Sequence, residues 1–402
     1  MLRTLRAGWV VPVTSPPIRD GLVAIAGDRI AWVGAASDPA APRGPCEDLG
    51  PGVLLPGLVN AHCHLELSWL AGRLAGGDFV GWVAALVKLR VEEREEIARD
   101  AAGTAIRGLL DGGTVAVGDV SNALRHLDLL AGAGLRSVVF LEILAWDPAR
   151  AAASLEWAEA RLAGLPPGLR GSGVEVRIAA HAPHSVSPLL LRGLAEKGGP
   201  AAIHLAESPA EVEFLRDGGG PWAEFLEERG LGHVGFEPAG RSPVAHLEST
   251  GALHAGLLAA HCVQVDAADA RRLARSGARA VLCPRSNQTL GVGLPPLPML
   301  QRAGVGLALG SDSLASSPSL DVLEDAALLH RAYPEIDPLA LVRMATLGGA
   351  EALGLDELGA LEPGRLARLA FAPCEEPLGD PGAFLVSGLA RPRSLVAEGA
   401  RA

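Results

Sequence analysis

The sequence predicts an α/β chain folded as a distorted (β/α)8 TIM barrel, with a small β-sandwich domain formed by both chain ends. Three observations predict it. Eight apolar strand candidates alternate with helical patterns through the middle of the chain. Both ends read as short strands without a long helix. Chemistry-capable side chains fall at the C-terminal ends of all eight central strands, the end where such barrels gather their active sites. With 402 residues, 49% of them apolar, the chain is long enough for one large cored domain and a small one.

At the N-terminus, LRAGWVVPV, GLVAIAGDRIAWVGAA and EDLGPGVLLPG are β-branched runs separated by Gly, Pro and Asp. Gly27 and Asp28 stand at the corner of a tight hairpin turn. The stretch from GALEPGRLARLAFAP to SGLARPRSLVAEG has the same short-strand character. The expected boundaries are 1–55 and 360–402 for the composite β-sandwich and 56–359 for the barrel.

The central strands are expected at 54–66, 113–122, 135–143, 174–185, 201–208, 257–265, 278–287 and 305–313. Between them, REEIARDAAGTAIRGLLDGG and DAADARRLARSG place polar and apolar residues at helical spacing. A doubly wound sheet is the rival that this alternation leaves open. His62, His64, Asp119, Glu142, His181, His204, His261, Ser286 and Asp312 all sit at strand ends, and in a barrel those ends converge on one mouth.

His62-Cys63-His64 closes the first strand. Residues two apart in a strand point to one face, so both imidazoles can reach one cation. His204 closes the fifth strand and supplies a third nitrogen. Asp312 closes the eighth, where a buried carboxylate needs a cation or another partner; its alternative is a cap on a following helix. Three histidines and a carboxylate suit one divalent metal, Zn2+ with Fe2+ as the alternative, with a position left for water. Glu207, three residues after His204, can face the same cavity without binding metal. Cys63 and Cys262 alternate away from the mouth and read as small packing residues.

Composition excludes several classes. There are 35 basic and 46 acidic residues, a net charge of −11, which repels phosphate backbones and argues against a nucleic-acid partner. The five cysteines are irregularly spaced and include no CxxC, so neither a disulfide framework nor a zinc ribbon is expected. The N-terminus lacks the apolar core of a signal peptide, and no apolar stretch is long enough to span a membrane. The cytoplasm is the expected location. Gly304-Val305-Gly306 lies within a strand and is no dinucleotide-binding turn.

The motifs PGLVNAHCH, HAPHS, HLAE, AAHCV, CPRSN and GSDS, in this order, resemble the amidohydrolase superfamily over nearly the whole chain. The region of strand four reads AAHAPHS and lacks the lysine that bridges two metals in some branches, which implies one metal. Within the superfamily the chain is similar to the nucleobase and nucleoside deaminases. HCHLELS at 62–68 and SDSLASSPSL at 311–320 resemble aminodeoxyfutalosine deaminases in particular. One departure is Arg368, where relatives carry Asp; it concerns a structural contact in the β module.

The resemblance implies a small-molecule nucleoside as partner, in an enzyme type that is often a homo-oligomer. It also implies catalytic roles for Glu207, His261 and Asp312, with His181 contacting the purine or ribose. Glu66, Ser68, Arg90, Ser286 and Ser313 are further candidates for substrate binding. Arg90 could face a substrate carboxylate or be a solvated helix charge. Asp119 and Glu142 are candidates to orient the histidines. A triazine chlorohydrolase would use nearly the same site. A silent barrel scaffold is disfavoured, since unused buried His and Asp are costly.

Overall fold

The computed structural model describes residues 2–231 and 237–395. Residue 1 and residues 396–402 of the expected terminal module lie outside the described residues. Five strands open the chain: β1 (Leu2–Val10), β2 (Ile18–Ala26), β3 (Arg29–Ala35), β4 (Cys46–Asp48) and β5 (Gly52–Pro56). Eight follow: β6 (Leu58–Cys63), β7 (Thr114–Ser121), β8 (Arg136–Ile143), β9 (Val174–Ala180), β10 (Ala201–Leu205), β11 (Leu257–His261), β12 (Arg279–Leu282) and β13 (Gly306–Leu309). Two more close the described chain, β14 (Leu369–Pro373) and β15 (Arg393–Leu395).

Strands from both ends join in one seven-stranded sheet, ordered β15-β14-β5-β1-β2-β3, with β4 beside β1. The β2–β3 hairpin turns at Gly27, whose φ of +64° favours glycine. Leu5, Val10, Val23, Ile25, Ile30, Leu54, Leu369 and Phe371 pack together as the core of this sheet.

The expected strand at 54–66 is two strands. Gly52–Pro56 pairs with β14 in the terminal sheet, and Leu58–Cys63 begins the barrel. The chain crosses between them at Gly57, where a Cβ would come within 2.3 Å of the Val115 side chain. The Gly57 N–H donates to the Arg368 carbonyl at 2.8 Å, so the contact made at Arg368 is by backbone and does not depend on its side chain.

β6 to β9 form one parallel four-stranded sheet and β10 to β13 another. They face each other as the two halves of the distorted (β/α)8 barrel. Inward residues Val59, Ala61, Ala116, Val138, Phe140, Ala202, Leu258, Val281 and Ala308 fill its interior. Alternating residues such as Val117, Val139, Ile203, Ala259 and Leu282 pack outward in the main core. The helices stand where their signals put them. Glu95–Asp111 follows the amphipathic run, and Ala267–Ser276 starts at Asp266, whose carboxylate accepts from Ala268 and Asp269 N–H.

The two halves meet along two seams, both hydrogen-bonded at the mouth. At one, His204 N–H donates to His181 O at 2.8 Å. At the other, Cys63 bridges Asp312, and Ser311 and Asp312 N–H both reach His62 O at 3.1 Å. Of these seam residues, His181, His204 and Asp312 line the site. Among the described residues no helix is long and apolar enough to cross a membrane.

Candidate active site

His62, His64, His204, His261 and Asp312 converge at the mouth. The His62 ring stands edge-on to His64 and His204 with centroids 5.0 Å away, and to His261 at 5.5 Å. Ligand atoms of His62, His64 and His204 lie within 4.8 Å of one another, as do those of Glu207, His261 and Asp312. Gly310 allows this approach, since a Cβ there would sit 2.7 Å from His62 Cβ.

Burial and hydrogen bonding leave ring nitrogens facing inward. His204 Nδ1 is 2.9 Å from the His181 carbonyl, which makes it the N–H donor and leaves the Nε2 lone pair exposed to the cluster. That Nε2 lies 3.2 Å from His64 Nε2, while His64 Nε2 is 3.6 Å from Asp312 Oδ1. His62 Nε2 and His261 Nε2 are buried with no hydrogen-bond partner among the described residues. The inward nitrogens of His62, His64 and His204 and the Asp312 carboxylate fit a divalent cation, which would satisfy them together.

Electrostatics agree with neutral imidazoles around one anion. Burial holds His62 and His204 well below the usual histidine range, and repulsion from neighbouring imidazoles, His64 and His261 for His62 and His62 and His181 for His204, adds to it. Burial likewise brings His261 down to about 4. Burial would raise Asp312, but His64, His261, His62 and the Ser286 hydroxyl outweigh it and hold the carboxyl at about 2. The Asp312 Oδ2 accepts from Ser286 Oγ at 2.5 Å and Ser316 Oγ at 2.9 Å. Asp312 caps no helix; the next one, Val322–Ala332, is capped by Asp321.

Glu207 stands beyond this cluster with Oε1 3.5 Å from His261 Nδ1. Burial pushes its pKa well above the usual glutamate value, with Asp312 and Glu211 adding to the effect. Asn287 Nδ2 lies 3.0 Å from His261 Nδ1 and fixes that ring. The backbone is strained here: of seven described non-glycine residues with positive φ, Ala206, His261, Cys262 and Asp312 stand at the strand ends that carry the site.

A cavity of about 530 Å³ opens over the cluster. His64, His181, His204, Glu207, His261, Asp312 and Ser313 form its floor, and Phe79, Trp82, Trp146, Trp222, Phe225 and Leu226 its outer wall. His181 Nδ1 is tied to Ser185 Oγ at 2.6 Å. Trp222 stacks on His184 at 4.5 Å.

Three expected substrate contacts stand elsewhere. Glu66, Ser68 and Ser286 lie behind the lining. Ser68 is buried with its hydroxyl unpartnered among the described residues, and Ser286 supports Asp312. Glu66 is buried and accepts from Ser121 Oγ, from the Asn122 and Ala123 N–H groups and from Arg90. Burial raises its pKa, but Arg90, Ser121 and those amides together bring it below the usual value.

Arg90 does line the cavity, yet it is neither free for a substrate carboxylate nor a solvated charge. It pairs with Glu66 at 3.1 Å and Glu93 at 3.7 Å and donates to Asn122 Oδ1. Asp119 orients no histidine of the site; it binds His126 at 2.7 Å and the Leu65 N–H, fixing the turn after His64. Glu142 does stand beside His204, with Oε1 3.5 Å from Nδ1. Cys63 and Cys262 are buried in the main core, facing away from the cluster.

Sequence reading missed Glu211, Arg285 and the wall residues Trp146, Trp222 and Phe225. Ser208-x-x-Glu211 is a capping-box spacing that could have flagged Glu211. Arg285 is buried against Asp325, Glu324 and Ser319, and so anchors the turn that carries Ser286 and Asn287.

Residues 53–389 match the amidohydrolase family. The chain is 34% identical over 319 residues to the aminodeoxyfutalosine deaminase of Deinococcus radiodurans, covering 77% of this chain and 75% of that protein. It is 32% identical over 397 residues to the 5-methylthioadenosine/S-adenosylhomocysteine deaminase of Moorella thermoacetica, covering 92% of this chain and 85% of that one. Its structure superposes on an adenosine deaminase from Xanthomonas campestris with bound zinc at a TM-score of 0.76 and 26% identity, covering 96% of this chain and 88% of that one. With a family match that spans most of its length, the chain belongs to the amidohydrolase family.

Proposed function

We propose that the chain hydrolyses the 6-amino group of a purine nucleoside, with aminodeoxyfutalosine as substrate and deoxyfutalosine and ammonia as products, in the futalosine route to menaquinone. The observation that carries the reaction class is a buried glutamic acid, Glu207, facing a histidine–carboxylate cluster at the floor of a cavity large enough for a nucleoside. The deaminases among its relatives support the same class.

His62, His64, His204 and Asp312 would hold one divalent metal, zinc or alternatively ferrous iron. Bound there, such an ion supplies water with a pKa of about 7 as nucleophile. The protein's own groups handle the protons. Asp312, an anion held at about 2, accepts one from the attacking water. Glu207, whose burial favours the protonated form, donates to the purine ring nitrogen and makes C6 electrophilic. A C–O bond forms at C6; Glu207, left ionised, takes the remaining proton of the added water and passes it to the amine, and the proton on Asp312 afterwards restores Glu207. The C–N bond breaks, and ammonia leaves with its electron pair as the carbonyl forms. His261, held uncharged by its burial, hydrogen-bonds the oxygen at C6 and steadies the tetrahedral centre.

The substrate choice rests on the Deinococcus relative and on the outer cavity. Its aromatic wall suits a flat tail, and Arg150 and Arg229 line it with exposed guanidinium groups that can meet a benzoate. The second reading, a methylthioadenosine or S-adenosylhomocysteine deaminase, is favoured by the longer alignment with the Moorella relative. Ammonia release from aminodeoxyfutalosine, adenosine, S-adenosylhomocysteine, methylthioadenosine, guanine and cytosine separates them. The expected order places aminodeoxyfutalosine first in kcat/KM. Preference for a nucleoside without the benzoate would overturn the substrate, and release from none would overturn the reaction class.

A further inference from the structure

We propose that Glu211 is a positioning residue for this reaction: its buried carboxylate clamps the Ala206 and Glu207 amides and so aims the Glu207 carboxyl into the cavity. The inference rests on the deaminase reading above.

The need for a clamp follows from strand geometry. β10 ends at Leu205, and His204 faces the cluster while Leu205 packs outward in the main core. Continued alternation would point residue 207 outward as well, away from His204. The chain avoids this by a left-handed turn at Ala206, whose φ is +51°. An L-residue holds that conformation only when its surroundings impose it.

Three hydrogen bonds impose it. Ala206 N–H donates to Glu211 Oε1 at 3.0 Å, Glu207 N–H donates to Glu211 Oε2 at 2.8 Å, and Ala206 O accepts from Gln264 N–H at 2.7 Å. Successive amides in a turn make a concavity that suits a carboxylate, and here the chain supplies its own; burial pushes Glu211 up to about 7, and the Glu207, Ala206 and Ser208 amides pull against it by favouring the ionised form. Glu211 is 1% exposed, on the first turn of the helix Pro209–Asp217, with its own N–H held by Ser208 Oγ at 3.2 Å. In an ordinary capping box the glutamate returns to the amide of the cap residue, here Ser208. Glu211 reaches past it to the two preceding amides. Both carboxylate oxygens are thus committed to the residue pair that carries the proposed acid.

The test uses Glu211→Ala and Glu211→Gln, each alone and with Glu207→Gln, on the nucleoside that the wild type turns over fastest. Glu211→Ala is expected to lower kcat about 100-fold, as misplacement of a catalytic group by an ångström does, with metal content unchanged and KM within about threefold. Glu211→Gln, which keeps one acceptor, should lose about tenfold. In the Glu207→Gln background the same changes should cost less than about twofold, because the group they aim is already disabled. Equal losses in both backgrounds, or a Glu211→Ala variant within about threefold of wild-type kcat, would overturn the clamp. Should Glu211→Ala fail to fold, Glu211→Gln carries the cycle. Amide hydrogen exchange on the wild type decides independently: the Ala206 and Glu207 amides should be among the slow ones, and rapid exchange at both would overturn the clamp. A wild type inactive on every nucleoside overturns the deaminase reading instead, and the exchange measurement still judges the clamp.

Discussion

The floor and the outer wall of the same cavity are built on different principles. The floor consists of strand ends: His62 and His64 from one half-barrel, His204, His261 and Asp312 from the other. Three of them are held by hydrogen bonds to their surroundings. Ser286 and Ser316 fix Asp312, Asn287 fixes His261, and the His181 carbonyl fixes His204. The wall is carried by helices such as Phe79–Arg90 and Pro221–Glu228, and its rings pack on one another. Phe79 and Phe225 stand edge-on to Trp222 at 5.9 and 5.5 Å, and the indole N–H groups of Trp82 and Trp222 have no partner among the described residues. A floor fixed by hydrogen bonds sets the reaction, whereas a wall held by packing can be reshaped to choose the nucleoside without disturbing it.

The largest effect that would break this contrast concerns the floor. Glu207→Gln should retain the metal and lose about 100- to 10,000-fold in kcat, the usual worth of a positioned acid. Asp312→Ala should lose metal and rate together. Metal analysis beside steady-state kinetics reads both. Turnover within a few-fold of wild type in Glu207→Gln would remove the acid from the mechanism, and full occupancy with full rate in Asp312→Ala would remove that carboxylate from the site.

A smaller effect is expected at the wall. Arg150→Ala combined with Arg229→Ala should raise KM for aminodeoxyfutalosine about tenfold, the size of a lost charge-assisted hydrogen bond, and leave kcat nearly unchanged. Adenosine, which has no carboxylate, should be handled as before. Equal losses for both nucleosides would show that these arginines shape the cavity and do not read the tail.

The same contrast explains what the sequence disclosed. The floor was legible because strand ends have a fixed address: a polar residue after an apolar run in a βα unit points to the mouth. His62, His64, His204 and Asp312 could therefore be grouped although they are up to 250 positions apart. Side chains one layer back were harder to place. Glu66 and Arg90 read as substrate contacts because each is polar and near strand one, but their bonds run to each other and to Ser121 and Asn122. The wall had no signature at all. Trp146, Trp222 and Phe225 come from separate segments, and an aromatic residue on a helix looks the same whether it faces a core or a cavity. The barrel itself was read from alternation, and the expected boundary between 55 and 56 falls beside the crossing at Gly57, although the strand expected at 54–66 ran through it.

The smallest expected effect sharpens the contrast through pH. Metal binding competes with protons on its ligands, so a site of three ordinary imidazoles would lose about three powers of ten in affinity per pH unit below 6.5. Burial holds His62 and His204 well below that value in the metal-free protein, and Asp312 stays ionised down to about 2. A lowered pKa moves proton competition to lower pH, so a fall in pH across that range takes less from these three than from ordinary imidazoles. Apparent zinc affinity, measured by chelator competition between pH 8 and 5.5, should therefore fall by well under about three powers of ten per unit. A slope near three would mean that the floor is wetter than its burial implies. The arginines at the wall are exposed, so the KM they govern should respond to salt.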